Sequence, residues 1–239
     1  MLQKKLLLIV NPCSGRAKMH TELLKVIETL SSADFTVTVY PTKFKGDATE
    51  YVSKLSQNDY ELIVVCGGDG TLNEVITGIM QTSLNIPLGY IPSGTLNEWS
   101  NGLKISRNIE IASKDITTGK QIELDIGKFG DKYFSYTASF GAFTSASYSA
   151  PQDIKNVLGQ AAYFFEGVKS LANIKPIHLK FTHENGVTEG DFLFGAISNS
   201  LSVGGIVKYD KAAVELNDGI FEVLLIRNPD NILKLQPLI

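Results

Sequence analysis

Three short apolar runs, each broken by a glycine-containing turn, set the tightest limit on what this chain can fold into. Residues 6–10 lead into Asn11-Pro12-Cys13-Ser14-Gly15-Arg16, and residues 62–66 lead into Gly67-Gly68-Asp69-Gly70-Thr71-Leu72-Asn73-Glu74. Residues 88–91 lead into Pro92-Ser93-Gly94-Thr95-Leu96-Asn97. Continuous apolar runs of this length read as strands buried on both faces. Between them the spacing turns helical: Met19, Leu23, Leu24, Ile27 and Leu30 recur on one face, then Ala48, Tyr51, Val52 and Leu55, then Leu72, Val75, Ile76 and Ile79. Residues 35–40 alternate as a further strand. Strands alternating with helices predict an α/β fold, a three-layer arrangement with a parallel sheet covered on both faces.

The pattern changes near Glu123. Strand-like stretches follow at 124–129, 133–140, 177–183, 191–198 and 219–226, joined by turns with Gly and Asn. One helical stretch interrupts them, carrying Ile154, Val157, Leu158, Ala161, Phe164, Phe165, Val168 and Leu171, and it reads as core packing before lipid contact. The expectation is an α/β domain over 1–123 followed by a mostly β domain over 124–239.

In an open parallel sheet the turns after the strands converge on one edge, where ligands bind. Glycine lets the backbone approach phosphate oxygens, and the N-terminus of the following helix offers N–H groups to an anion. Thr71 and Thr95 add hydroxyl donors. Asp69 is the odd member, because a carboxylate among phosphate donors repels the ligand unless a metal cation or a proton-transfer role accounts for it. Each turn alone also reads as structure: Gly-Gly-Asp-Gly with Asp as a helix N-cap, Asn-Pro and Ser-Gly as common turn dipeptides. All three after strands of one α/β half favour a shared phosphate site. Neither G-x-x-x-x-G-K-[ST] nor G-x-G-x-x-G with a following acidic residue is present.

The formal net charge of -3 gives no reason to expect a nucleic-acid partner. No apolar run approaches the roughly 20 residues needed to span a bilayer. The basic-then-apolar opening ends at Asn11-Pro12, too soon for a secretory leader and without a small-residue cleavage site. Cys13 and Cys66 are the only cysteines, which suits two thiols in a cytoplasmic protein rather than a disulfide framework.

In order and spacing, Asn-Pro-x-Ser-Gly, Gly-Gly-Asp-Gly-Thr-x-Asn-Glu and Pro-x-Gly-Thr-x-Asn closely resemble the diacylglycerol kinase catalytic domain, over residues 6 to about 227. The soluble bacterial lipid kinases look nearest, with sphingosine kinases and NAD kinases as relatives; the first motif and Thr42…Gly46-Asp47-Ala48 favour the lipid branch. The resemblance implies that Asn11, Pro12, Cys13, Ser14, Gly15, Thr42, Gly67, Gly68, Asp69, Gly70, Thr71, Leu72, Asn73 and Thr95 line an ATP site. It implies that Asp69 organises magnesium beside the phosphates and is the catalytic residue to name. Arg16 reads equally as a phosphate partner and as a solvated surface arginine. In Glu215-Leu216-Asn217-Asp218-Gly219-Ile220 the resemblance implies a structural magnesium loop, with Asp218 binding through its side chain and Glu215 and Ile220 through carbonyls; oxygen ligands suit that ion. From the residues alone, Asn217-Asp218-Gly219 is a hairpin turn.

The chemistry implied is phosphoryl transfer from ATP to a lipid hydroxyl, whose proton a base accepts. The resemblance places the lipid substrate on a membrane, so peripheral membrane contact of a cytoplasmic protein is expected, with Lys4, Lys5, Lys43 and Lys45 as candidate contributors or plain solvated lysines. Two departures stand out. Glu98-Trp99-Ser100 occupies the place where the family usually has Asp-Phe-Ala, and the family's Asp-Gly-Glu motif with its presumed base belongs to strands beyond residue 239. The second domain therefore reads as C-terminally incomplete, and the alternatives are a nucleotide-binding fragment with weak or no turnover or an NAD kinase relative. Asp69→Ala is expected to abolish activity while leaving the fold intact.

Overall fold

The computed structural model describes residues 4–14, 16–141, 175–203, 207–210 and 214–228. The first half alternates as β1 (Lys4–Val10), α1 (Arg16–Ser31), β2 (Phe35–Pro41), α2 (Asp47–Val52), β3 (Leu62–Gly67), α3 (Asp69–Thr82), β4 (Leu88–Pro92), α4 (Glu98–Leu103) and α5 (Ile109–Thr118). The four strands are all parallel, in the order β2-β1-β3-β4.

The apolar runs are buried on both faces, as strands between helices must be. On β1, Leu6, Leu8 and Val10 face one layer with Val26 and Leu30 of α1 and Ile109 and Ala112 of α5. Leu7 and Ile9 face the other, with Val52 of α2 and Leu72, Val75 and Ile76 of α3. Leu6, Leu7, Leu8 and Ile9 are each 0% exposed, and each such side chain contributes about 1.5–3 kcal/mol on burial. This period-two division of one strand between two cores produces the three-layer α/β arrangement expected from the sequence.

Several bounds differ from the sequence reading. α3 begins at Asp69, so the Gly-Gly-Asp-Gly turn is itself the helix start. α2 ends at Val52, before Leu55. The sequence reading left α4 and α5 without assignment. α5 carries a readable cap, since the Asn108 side chain accepts from the N–H groups of Glu110 and Ile111.

The second half is mostly antiparallel. β5 (Gly127–Phe129) and β6 (Lys132–Phe134) form a hairpin whose turn residue Gly130 has φ of 60°. β7 (Thr137–Gly141), β8 (Ile177–His183) and β9 (Gly186–Ser198) follow, then the short pair β10 (Ser202–Val203) and β11 (Val207–Lys208), and finally β12 (Glu222–Arg227). β9 is the spine: its first half pairs with β8 and its second half with β7 and β12. The single strand expected over 133–140 is broken where the chain changes partner, from β5 at Phe134 to β9 at Thr137. The Ser135 carbonyl accepts the Trp99 indole N–H at 3.2 Å, and the Tyr136 carbonyl accepts the Asn199 N–H at 3.0 Å. The strand expected over 124–129 shortens to Gly127–Phe129 and the one over 219–226 begins at Glu222. The helical stretch at 154–171 lies outside the described residues.

The β8–β9 hairpin carries an exposed charge cluster. His178 lies opposite Asp191, with Nδ1 2.8 Å from Asp191 Oδ1 and Nε2 3.3 Å from Glu189 Oε1. Hydrogen bonding to Asp191, then to Glu189, raises the imidazole pKa above its ordinary 6.5. A group with a raised folded pKa stabilises below its unfolded value and loses that contribution as pH rises through the folded value. His178→Gln should therefore lower the melting temperature below pH 6.5 and converge with wild type at higher pH. An NMR titration of the His178 ring checks the direction: a midpoint at or below 6.5 would contradict it.

Candidate functional site: the edge where three turns meet

β1 and β3 are neighbours from which the chain departs in opposite directions, β1 towards β2 and β3 towards β4. Such a switch point leaves a crevice at the carboxyl ends of the two strands. The turns after β1, β3 and β4 all open on this edge, and hydrogen bonds knit them together. Asn11 Nδ2 donates to Thr71 Oγ1 at 2.9 Å, while the Asn11 N–H donates to the Cys66 carbonyl at 2.9 Å. Asn11 Oδ1 accepts the Cys13 N–H at 2.9 Å, closing the first turn. The Ser93 N–H donates to the Gly67 carbonyl at 2.9 Å, and the Ser93 hydroxyl lies 3.2 Å from that of Ser14. The Thr42 N–H reaches the Val10 carbonyl at 2.8 Å, which brings the end of β2 to the same edge.

Glycine is required here for approach. A Cβ on Gly94 would stand 2.5 Å from Gly68 Cα, so the second and third turns pack backbone against backbone. Gly70 differs: it is exposed, and an added Cβ meets nothing within 4 Å. Among the described residues no atom requires glycine at that position in the first turn of α3.

Asp69 lies between two helix N-termini. It opens α3, and its carboxylate accepts the N–H of Glu98 at 3.0 Å and of Trp99 at 3.3 Å, capping α4. α4 has no cap of its own, since Asn97 sits at φ 49° with its amide donating to the Gly94 carbonyl at 2.7 Å. The sequence reading left Asp69 open as a helix cap, and the helix it caps is α4 rather than the one it begins. Glu98 and Trp99, which replace the family's usual Asp-Phe, are thus held through their backbones. The Trp99 ring stands edge-on to Tyr90, whose phenol burial pushes far up in pKa. Burial likewise pushes the Cys66 thiol up to about 12, so it is inert at neutral pH, while Cys13 is exposed in the first turn.

Of the residues assigned to the nucleotide from sequence, Asn11, Pro12, Cys13, Ser14, Thr42, Gly67, Gly68, Asp69, Gly70, Thr71 and Thr95 are brought to this edge. Two are turned away. Leu72 is 0% exposed in the core, and its N–H bonds the Gly68 carbonyl. Asn73 donates instead to the Tyr133 carbonyl at 3.1 Å, tethering the β5–β6 hairpin to α3. Gly15 lies outside the described residues.

Glu215, Asp218 and Ile220 form a separate exposed loop that the structure ties to Asp125. The Gly219 N–H donates to Asp125 Oδ2 at 2.6 Å, and the Asp125 N–H to the Leu216 carbonyl at 2.9 Å. Asn199 Nδ2 bridges the Asp125 and Leu216 carbonyls at 2.8 and 3.0 Å. Asp218 Oδ1 accepts the Ile220 N–H at 2.9 Å, as an Asx turn does. The donors are all oxygen, which fits magnesium chemistry. Among the described residues there is no cluster of three or more His, Cys, Asp or Glu side chains arranged to hold a metal, so a cation here would rely on carbonyls and water. Sequence reasoning missed Asp125, whose partner lies 94 residues away, and Glu74, whose carboxylate accepts the Gly46 N–H at 2.8 Å to hold the loop after β2.

Beside β4 a cleft of about 770 Å³ opens, walled by Ile76, Ile79, Met80, Leu103, Ile122 and Leu124, with Tyr90 and Trp99 also in its lining. Its size is in the range of small-molecule sites, and its walls are mixed, with Lys104, Asp115, Lys120 and Glu123 beside the apolar side chains.

Comparison with known proteins agrees with this geometry. The model of the diacylglycerol kinase catalytic domain matches residues 5–129. A diacylglycerol kinase of Staphylococcus aureus (strain bovine RF122 / ET3-1) is 32% identical over 225 residues, 94% of this chain and 71% of the relative. One from Staphylococcus saprophyticus is also 32% identical, over 94% of this chain and 73% of its own length. The crystal structure of a diacylglycerol kinase from Bacillus anthracis str. Sterne superposes with a TM-score of 0.77 at 28% identity, covering 99% of this chain and 78% of that one. A matching domain, matching relatives along nearly the whole chain and a matching fold lead to one conclusion: the chain belongs to the diacylglycerol kinase catalytic domain family, a family of kinases.

Proposed function

We propose that this chain transfers the terminal phosphoryl group of ATP to the hydroxyl of a lipid such as diacylglycerol. The observation that carries the reading is the meeting of the Gly67–Thr71 and Ser93–Thr95 turns, backbone on backbone, at the β1/β3 switch point and the N-terminus of α3. The first turn of α3 leaves N–H groups without intrahelical partners, directed at an anion. Asn11 fixes the Thr71 side chain by donating to its oxygen, which keeps the Thr71 proton available to a phosphate oxygen. Pre-set donors of this kind need no reorganisation as charge spreads in the transition state. Asp69 fits a magnesium ion held through water, because each carboxylate oxygen retains a lone pair after accepting one N–H from α4. Magnesium, when bound, supplies charge neutralisation between that carboxylate and the phosphates. Glu215, Asp218 and Ile220 are proposed as a second, structural magnesium site, supported by the oxygen-only donor set around Asp125.

In this reading residues 1–123 hold the nucleotide and residues 124–239 form the lipid side; the cleft beside β4, lined by the first half apart from Leu124 and Ile126, is a seat for the acceptor's hydrocarbon part. The lipid acceptor places the reaction at a membrane surface, met in this reading by a cytoplasmic, peripherally associated protein; no described helix is long and apolar enough to cross a membrane. The test is transfer of label from γ-labelled ATP with magnesium to dispersed diacylglycerol, sphingosine or NAD. Labelled phosphatidic acid is the expected product; phosphorylation of NAD alone would sink the lipid assignment.

Gly70 gives an independent check. Gly70→Ala should hold or slightly raise the melting temperature, since alanine is favoured over glycine in a helix by up to about 1 kcal/mol. ATP affinity should nonetheless fall by about tenfold or more, because the new methyl occupies the surface a phosphate approaches, a loss on the order of 1.4 kcal/mol. Calorimetric titration with ATP and magnesium reads the second effect; unchanged affinity would remove α3 from the phosphate site.

A further inference from the structure

We propose that a monovalent alkali cation, sodium or potassium, binds inside the second half between Thr137, Ser198, Tyr209 and Glu222. Four oxygens point to it. Thr137 Oγ1, Ser198 Oγ, the Tyr209 hydroxyl and Glu222 Oε2 are all shielded from solvent, and none has a hydrogen-bond partner among the described residues. Buried polar atoms are normally paired, so four such atoms on one patch of sheet call for a further partner.

Strand register gathers them. Ser198, the last residue of β9, stands opposite Thr137 of β7 on one side and Glu222 of β12 on the other. Directly opposed residues send their side chains to the same face of a sheet. The Asn199 N–H reaches the Tyr136 carbonyl at 3.0 Å, which makes Thr137 and Ser198 a pair without mutual hydrogen bonds, the kind whose Cα atoms approach to about 4.5 Å. Ser198, in the middle of the row, is 0% exposed. Tyr209 is held by its N–H, which donates to the Leu201 carbonyl at 3.0 Å, and its phenol faces the same row. Burial raises the phenol pKa, the Ser198 hydroxyl lowers it and the Glu222 charge raises it. No hydrogen bond of good geometry joins the two hydroxyls.

The chemistry of the four atoms selects the occupant. All are oxygens, which suits a hard cation. Only Glu222 is charged, and among the described residues no Lys, Arg or His forms an ion pair with it. A buried carboxylate requires a counter-charge, and a water molecule would satisfy the hydroxyls without supplying one. One carboxylate and three neutral oxygens balance a single positive charge. Magnesium gives up its water reluctantly, whereas this row offers side-chain oxygens in place of water. The row is also distinct from the Asp218 loop. Asn199 faces Asp125 and Leu216 of that loop, and successive residues of an extended chain point to opposite sides, so Ser198 faces away from it. A cation held there ties together the ends of β7, β9 and β12, strands that lie far apart in sequence.

The test is the melting temperature of the full chain, with EDTA and without ATP, in choline, sodium or potassium chloride at equal ionic strength. Sodium or potassium should raise it by about 3–6 °C over choline, the shift expected when the salt stands about tenfold above the dissociation constant. Glu222→Gln should lose this response. In choline that variant should melt at or above wild type, because it no longer buries an unpaired charge. Thr137→Val keeps the side-chain shape and removes one oxygen, so it should shrink the response without that gain. Crystals grown in rubidium chloride should show an anomalous peak among the four oxygens. Equal melting of wild type in all three salts would overturn the proposal and leave water as the occupant. A response that survives both substitutions would place the ion elsewhere and overturn it as well. Neither ATP nor lipid enters the experiment, so its failure leaves the kinase reading standing.

Discussion

Asp69→Asn is expected to leave the chain folded and to reduce phosphoryl transfer by about a thousandfold or more, the scale on which a removed transition-state partner acts. The carboxylate does two jobs that this substitution separates. As a cap it accepts two N–H groups, from Glu98 and Trp99, for a six-residue helix that lacks a cap of its own. The asparagine carbonyl can keep one of these bonds, so the loss should be about 1 kcal/mol, against about 1–2 kcal/mol for Asp69→Ala, which removes both.

As a charge, Asp69 occupies the positive ends of α3 and α4, the place a phosphate would also favour. Carboxylate and phosphate share such a place only with a cation between them. Binding of ATP to the wild-type chain should therefore depend steeply on magnesium, whereas the asparagine variant should bind ATP with little regard to it and turn over poorly. Titrations with and without magnesium, alongside a melting curve, distinguish the two jobs. Turnover within tenfold of wild type would show that Asp69 is a cap alone.

The turns were legible in the sequence because the physics that sets them is local. Glycines after buried strands need no knowledge of the rest of the chain, and the two-faced burial of β1 follows from an unbroken apolar run. What stayed hidden depends on distant partners. The Asp69 cap on α4 spans 29 residues and the Asp125 contact with Gly219 spans 94. Neither leaves a local trace beyond a lone carboxylate. The break between β6 and β7 is likewise decided by distant partners, the Trp99 indole at the Ser135 carbonyl and β9 from Thr137 onward.

Other features were readable and overlooked. Asn108 before Ile109, Ala112 and Ile116 is a cap followed by helical spacing, the signature of α5. Leu72 was assigned to the ligand through its place in a motif, although its spacing with Val75 and Ile76 already put it in the core. Periodicity states where a side chain points, and a motif states only that a segment matters.

Gly94→Ala is expected to destabilise the chain by about 2–4 kcal/mol, which in a chain of this size lowers the melting temperature by roughly 5–15 °C. The added Cβ would stand 2.5 Å from Gly68 Cα and 2.7 Å from Asn97 Oδ1. Neither neighbour is the loose end of a flexible side chain. Gly68 is backbone at the start of α3, and Asn97 is 3% exposed with its amide donating to the Gly94 carbonyl at 2.7 Å and its oxygen 3.3 Å from the Tyr90 hydroxyl. Relief requires the two turns to part, which breaks the Ser93–Gly67 backbone bond and strips partners from buried Asn97. ATP binding should fall with them, because the phosphate edge exists only while the turns touch. Gly68→Ala is milder, since its Cβ would stand 3.3 Å from Gly94 Cα and a small shift accommodates it. Melting temperatures should therefore descend from Gly70→Ala, at or above wild type, through Gly68→Ala to Gly94→Ala. A Gly94→Ala protein that melts with wild type would mean that the turns do not approach so closely in solution, and the shared phosphate edge would lose its structural basis.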